Sequence, residues 1–218
     1  MNYSNNTKTV YLIRHGQSNH NTAPVFQSRD SSLSVEGIKQ AQALARRISK
    51  VSFDVLLTSP LSRARETAEI ISRQTGMKPE FSELFVERVM PSAILGKPHM
   101  DTNANFLWRE WEKSLYTPGL HIEDSENYDD LILRADEALN FLEKRTEASI
   151  IVVSHGYFLR TIIARVLLGE SLSAENFHNF QKFISMENTA ITILKFASAF
   201  EEDTCWRLDT YNDYSHLA

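Results

Sequence analysis

Residues 149–156, Ser-Ile-Ile-Val-Val-Ser-His-Gly, decide the fold of this chain. Four consecutive β-branched residues at 150–153 are typical of a strand buried on both faces of a parallel sheet. A second apolar run, Val-Tyr-Leu-Ile at 10–13, ends in Arg14-His15-Gly16, much as the first ends in Ser154-His155-Gly156. Ligands of such sheets bind outside the carboxyl ends of strands. If the two strands are parallel neighbours, His15 and His155 face one another across one cationic crevice.

The remaining pattern alternates helices with strands. Helical spacing extends from Ser34, a plausible N-cap, to Lys50, and again over 62–75 up to Gly76. Further helices are predicted at 105–115, 128–146 and 157–168, and further strands at 53–57, 190–196 and 206–211. This order predicts a three-layer α/β/α sandwich around a mostly parallel sheet, in one domain spanning 1–218. Residues 88–125 hold three of the six prolines and are expected to form a lid insertion.

Composition and net charge reduce the number of plausible functional classes. A net charge of -5 argues against nucleic acid as the main partner, although a few local arginines can still hold a phosphate. The chain has no apolar window long enough for a membrane span, and its first ten residues lack a signal-peptide pattern, so a cytoplasmic protein is expected. The single cysteine, Cys205, adjoins Trp206 and is expected to be a buried structural thiol.

Three segments resemble the signatures of the histidine phosphatase superfamily, which is also called phosphoglycerate mutase-like. The first is Leu12-Ile13-Arg14-His15-Gly16-Gln17-Ser18 with Asn21, followed by Leu33-Ser34 with Gly37, Gln40 and Ala41. The second is Thr58-Ser59-Pro60-Leu61-Ser62-Arg63-Ala64 with Thr67-Ala68, and the third is Val152-Val153-Ser154-His155-Gly156 with Arg160. They occur in the family's order between positions 10 and 160, whereas the ending around Asn188-Thr189 is less specific.

The resemblance implies a phosphomonoesterase in which His15 is the nucleophile and forms a phosphohistidine. Its other ring nitrogen must keep its proton and donate a hydrogen bond to an acceptor, for which a backbone carbonyl is expected. Arg14, Arg63 and His155 would neutralise the phosphoryl oxygens, and Asn21 would add a neutral donor. This much positive charge predicts catalysis without a metal or any other cofactor.

Two of the functional roles can each be assigned to either of two nearby residues. Arg63 occupies the family's arginine position, whereas Arg65 points elsewhere on the helix and is expected to pair with a carboxylate. The resemblance also implies a carboxyl acid after the second helix, for which Glu87 matches best and Glu83 is the fallback.

The segment after Glu87 departs from the family's mutases, which carry a glycine- and tyrosine-containing stretch there. That difference and the short chain favour a phosphatase over a mutase. Arg88, Lys97 and Arg109 lie in the lid region and are candidates for substrate binding. Nearby aromatic residues could join them, but for Phe106, Leu107 and Trp111 packing of a lid helix is the favoured interpretation. The expected substrate is a small phosphomonoester or a phosphorylated peptide, and the oligomeric state is not readable.

Three alternatives stay open. The first is mutase-type phosphoryl transfer, and the second is a non-catalytic module that binds a phosphorylated ligand. The third, a Rossmann-like nucleotide-binding protein, ranks last because no GxGxxG or GxxxxGK[ST] follows any strand.

Overall fold

The computed structural model describes residues 7–19, 24–26, 28–198 and 204–218. Within these ranges the chain forms six strands: β1 (Lys8–Arg14), β2 (Val55–Thr58), β3 (Pro79–Phe81), β4 (Ser149–Ser154), β5 (Ile191–Ser198) and β6 (Thr204–Asp213). The α-helices of the same ranges are α1 (Val35–Ile48), α2 (Ser62–Thr75), α3 (Thr102–Ser114), α4 (Tyr128–Lys144), α5 (Gly156–Leu168) and α6 (Ala174–Phe183).

The strands form one sheet in the order β3-β2-β4-β1-β5-β6. β3, β2, β4 and β1 run parallel, and β5 is antiparallel to both of its neighbours. The carboxyl ends of β1, β2 and β4 therefore meet at one edge, where the two His-Gly turns lie. This confirms the α/β class and the parallel neighbours expected for the two histidine-bearing strands.

Both faces of the sheet are covered, because successive strand residues point to opposite sides. Leu12 and Val152 join one buried cluster with α4 and α5, whereas Ile13 and Val153 join another with α1 and α2. Burial on both faces explains why the central strands are continuous apolar runs rather than alternating ones. The three-layer architecture is confirmed. The 88–125 region contains α3 and forms an insertion beside the sandwich.

Local signals place the helix ends that lead into the site. The Ser34 side chain accepts a hydrogen bond from the Gly37 amide at 3.0 Å and so caps α1, as predicted. α2 ends at Gly76, whose φ of 77° lies in the left-handed region that glycine tolerates best.

Two elements were not predicted, and one sequence expectation is wrong. β3 was not predicted, since three residues at a sheet edge carry little periodic signal. α6 was not predicted either, because only Phe177 and Gln181 of its ten residues are buried. Cys205 is exposed, not buried: β6 lies at the edge of the sheet and Cys205 falls on its solvent side.

Candidate active site

His15 and His155 lie at the carboxyl ends of β1 and β4. These strands are parallel neighbours in which Arg14 pairs with Ser154, so the two following histidines come side by side. Their ring centroids are 5.0 Å apart, and both side chains are buried. The crevice expected from the two His-Gly turns is therefore present.

The imidazole of His15 is held in one tautomer. Its Nδ1 lies 2.6 Å from the carbonyl oxygen of Gly16, and because a carbonyl can only accept, Nδ1 carries the proton. Nε2 is therefore unprotonated and carries the lone pair, which accepts a hydrogen bond from the Arg63 Nε–H at 3.2 Å. Burial, followed by the charges of Arg63 and Arg14, holds the pKa of His15 well below its ordinary value. The ring is accordingly neutral and suited to act as a nucleophile.

The loop after β1 packs directly against the start of α1. A Cβ on Gly37 would lie 1.9 Å from the Gln17 carbonyl oxygen, and one on Gly16 would lie 2.6 Å from the Gly37 carbonyl oxygen. The Gly16 amide donates to the Thr67 hydroxyl at 3.1 Å, and the Gln17 amide donates to the Gln40 side chain at 2.9 Å. These contacts explain why the motif contains glycine at 16 and 37, since no side chain fits between the two backbones.

Two buried arginines flank His15. Arg14 donates to the Met186 carbonyl, and its Nε would lie 3.1 Å from a Cβ on Gly156, so the guanidinium occupies the space that this glycine leaves. Arg63, from the first turn of α2, is 2% exposed and also donates to the Ser28 carbonyl at 3.3 Å. Burial lowers the pKa of Arg63 to about 10, an effect that nearby Glu87 opposes. Both side chains stay cationic at neutral pH.

Two buried nitrogens of the site have no hydrogen-bond partner among the residues that the structure describes. They are Arg14 Nε and His155 Nδ1. The Nε2 of His155 lies 2.8 Å from the Ser59 hydroxyl, which leaves Nδ1 as the open position of the ring. A buried polar nitrogen without a partner is costly, and a bound anion would accept a hydrogen bond from Arg14 Nε and from His155 Nδ1 in the tautomer that protonates this nitrogen.

Glu87 lies at the amino end of α5. Its carboxylate accepts hydrogen bonds from the amides of Phe158 at 3.1 Å and Tyr157 at 3.4 Å. A helix amino terminus favours an anionic group, so the turn that begins at Gly156 orients this carboxylate. Glu83 is instead exposed and pairs with Arg29 at 3.4 Å. The structure thus brings Glu87, and not Glu83, to the cavity that contains His15.

The cavity that contains His15 has a volume of about 360 Å³. Besides Arg14, His15 and Glu87, its walls include residues of the lid and of α5: Arg88, His99, Trp108, Tyr157 and Arg160. Of the other predicted lid residues, Arg109 lines a neighbouring cleft, and the exposed Lys97 lines neither space. Asn21, the predicted neutral donor, lies outside the described residues. Arg65 pairs with Glu69 at 3.9 Å on the surface of α2, as expected.

Sequence reasoning missed the support behind His15. The Asn188 side-chain amide donates to the His15 carbonyl at 2.9 Å, and the Thr189 amide donates to the Arg14 carbonyl at 2.9 Å. Thr189 adopts a φ of 59°, a costly conformation for a β-branched residue. Asn188-Thr189 was visible only as a compatible family ending, because a contact across more than 170 residues has no local signature.

Two wider searches cover only the described part of the chain. No cluster of three or more histidine, cysteine or carboxylate side chains there is arranged to hold a metal ion. No helix there is both long and apolar enough to cross a membrane.

A family model described as the histidine phosphatase superfamily (branch 1) matches residues 10–213. Because this match covers nearly the whole sequence, the chain belongs to that superfamily. It is an enzyme of this superfamily, of the phosphatase or mutase-like kind.

Curated relatives and solved structures agree with this assignment. The probable phosphoglycerate mutase GpmB of Photorhabdus laumondii is 29% identical over 216 residues, covering 95% of this chain and 94% of the relative. Phosphoserine phosphatase of Entamoeba histolytica, solved with 3-phosphoglyceric acid, superposes with a TM-score of 0.73 at 23% identity, over 97% of this chain and 100% of the other. Mycobacterial glucosyl-3-phosphoglycerate phosphatase gives a TM-score of 0.70 at 24% identity, over 94% and 99%. At these identities the two structures establish a shared fold.

Proposed function

We propose that the protein hydrolyses phosphomonoesters through a phosphohistidine on His15. The observation that carries the proposal is the fixed tautomer of His15, with Nδ1 on the Gly16 carbonyl and Nε2 beside Arg63. A neutral imidazole with one committed nitrogen presents a single nucleophilic lone pair. Arg14, Arg63 and His155 surround that position and bind the phosphoryl oxygens, with Asn21 as a further predicted donor.

In the first step, Nε2 of His15 attacks phosphorus in line with the ester oxygen. The N–P bond forms while the P–O bond to the alcohol breaks, and protonated Glu87 gives its proton to the leaving alkoxide. The Arg63 Nε–H moves from Nε2 to a phosphoryl oxygen as the substrate enters. The guanidinium groups and His155 stabilise charge on the equatorial oxygens, so the step needs no metal ion.

In the second step, water attacks the phosphorus of the phosphohistidine. Glu87, now a carboxylate, takes a proton from that water while the P–N bond breaks. Inorganic phosphate leaves, and the electron pair returns to Nε2 of His15. The two steps restore both residues to their starting states.

A mutase is the second candidate, favoured by the names of the curated relatives. Chain length does not separate the two, because those relatives match this chain over 94% of their own length. The segment after Glu87 still favours hydrolysis, since Arg88, Val89 and Met90 replace the glycine- and tyrosine-containing stretch of family mutases. The phosphatase names of the structural neighbours support the same choice.

Release of inorganic phosphate tests the proposal. A panel of small phosphomonoesters, with and without a chelator, is expected to yield phosphate equally in both conditions. His15→Asn should abolish release, while His121→Asn, a change at an exposed lid histidine, should not. A mutase would isomerise a phosphoglycerate with little free phosphate, and normal turnover by His15→Asn would refute the mechanism.

A further inference from the structure

A second and larger cavity adjoins the catalytic one. It measures about 610 Å³ and lies between the lid helix α3 and helices α5 and α6. Arg88, Tyr157 and Arg160 line both spaces. We call this second space the basic cleft, and a substrate that extends past these three residues would enter it.

The basic cleft concentrates positive charge on an acidic protein. Its walls carry five cations and one carboxylate: Arg88, Arg109, Lys113, Arg160, Lys182 and Glu112. Of these cations, Lys113 alone forms a salt bridge within the described ranges, with Glu110 on its own helix. Cations left unpaired in one concave space repel each other, and a bound anion removes that repulsion.

Two cations of the inner cleft, Arg160 and Arg88, are held in place by contacts with uncharged groups. The Arg160 Nε donates to the Gln181 side-chain oxygen at 2.9 Å, and the buried Gln181 donates in turn to the Tyr157 carbonyl at 3.2 Å. The Arg88 guanidinium lies over the rings of Tyr157 and Trp111, at 4.1 and 4.8 Å from their centroids. Both cations are therefore ordered before any ligand arrives, which lowers the entropy cost of binding.

We propose that the basic cleft is a subsite for a second phosphate of the substrate, so that the protein acts on elongated bisphosphorylated molecules. One phosphate occupies the position at His15, the body of the substrate passes Arg88 and Tyr157, and the distal phosphate lies among Arg109, Arg160 and Lys182. Four cations without carboxylate partners suit a dianion, because a guanidinium can donate two hydrogen bonds to one phosphate. This inference rests on the proposed function, since it extends the same site.

A ladder of linear diol bisphosphates tests the subsite. Each bisphosphate is compared with the monophosphate of equal chain length, and the readout is the ratio of their kcat/KM values. The ratio is expected to stay near one for short chains and to rise about tenfold or more once the chain spans both cavities, as expected for charge-assisted hydrogen bonds. In Arg109→Gln/Lys182→Gln the ratio should fall back toward one at every length.

A double variant of equal charge change, Lys39→Gln/Arg73→Gln on α1 and α2, provides the control. It should keep the wild-type ratio, and an equal fall in it would indicate long-range attraction instead of a subsite. A ratio that ignores chain length and the cleft variant alike would overturn the inference. Failure of the proposed function looks different, because then no monophosphate would be hydrolysed in a His15-dependent manner.

Discussion

The catalytic floor and the basic cleft are both rich in arginine, yet they hold it differently. The floor comprises Arg14, His15, Arg63 and His155, which are fixed by backbone carbonyls, by one another and by the Ser59 hydroxyl. In the cleft, Arg109 and Lys182 are exposed and make no salt bridge to any residue that the structure describes. The floor comes from strand ends and the first turn of α2, whereas these two come from α3 and α6. Fixed cations suit a reaction that every substrate shares, and exposed cations suit recognition of what differs among substrates.

Glu87 lies where the floor meets the lid, and among the residues that assist His15 its loss should have the largest effect. Glu87→Gln keeps one acceptor oxygen, which can serve one of the two α5 amides, but removes the transferable proton. Hydrolysis of an alkyl phosphate should slow by about 10²–10⁴, the usual contribution of general acid–base catalysis. Phosphorylation by p-nitrophenyl phosphate, whose leaving group needs no proton, should be far less affected.

Glu83→Gln is the matched control, since Glu83 is exposed and pairs with Arg29. It should keep wild-type rates with both substrates. If Glu83→Gln showed the leaving-group dependence and Glu87→Gln did not, the assignment of the acid would have to be reversed.

Arg63→Gln should have the next largest effect. It removes a buried charge that lies at the nucleophile, and loss of one such stabilising group lowers kcat by about 10²–10³. Arg65→Gln, two residues along the same helix, changes a surface pair with Glu69 and should leave kcat within about twofold. Equal losses in both variants would show that α2 contributes general stability instead of a specific contact.

Gly37→Ala tests whether the floor depends on the close approach of two backbones. The added Cβ would meet the Gln17 carbonyl at 1.9 Å, so the loop or α1 must move. Overpacking of this kind costs about 1–3 kcal/mol, which thermal unfolding would detect as a lowered Tm. Ala43→Gly in the same helix is the control and should cost at most about 1 kcal/mol through helix propensity. An unchanged Tm for Gly37→Ala would contradict the packing described here.

The smallest expected effect concerns the pKa values of His15 and His155. Burial lowers the pKa of His15 and His155 well below the ordinary value of 6.5, so both rings should stay neutral as the pH falls through 6.5. The limb of kcat/KM that depends on neutral His15 should accordingly lie below pH 6.5. NMR titration of the ring carbons checks this, with a histidine peptide as reference. A midpoint for His15 at or above that of the peptide would contradict the account.

The floor could be predicted from sequence because its signals are local. An apolar strand followed by His-Gly places a side chain at a sheet edge, and the resemblance to a family supplied Arg63 and Glu87. The contacts of Ser59, Asn188 and Thr189 could not be predicted in this way, since these residues act on His15 or His155 across large separations in sequence. α6, which carries part of the basic cleft, was also missed, because only Phe177 and Gln181 of its ten residues are buried and most of the others face solvent.

Trapping the phosphoenzyme tests the central claim most directly. With p-nitrophenyl phosphate, Glu87→Gln should form the phosphohistidine but lack the base that hydrolyses it, and a rapid base quench preserves this linkage. The account predicts a burst of p-nitrophenol equal to the active sites, with acid-labile phosphate on the peptide that contains His15. No burst, or phosphate on a different residue, would contradict it.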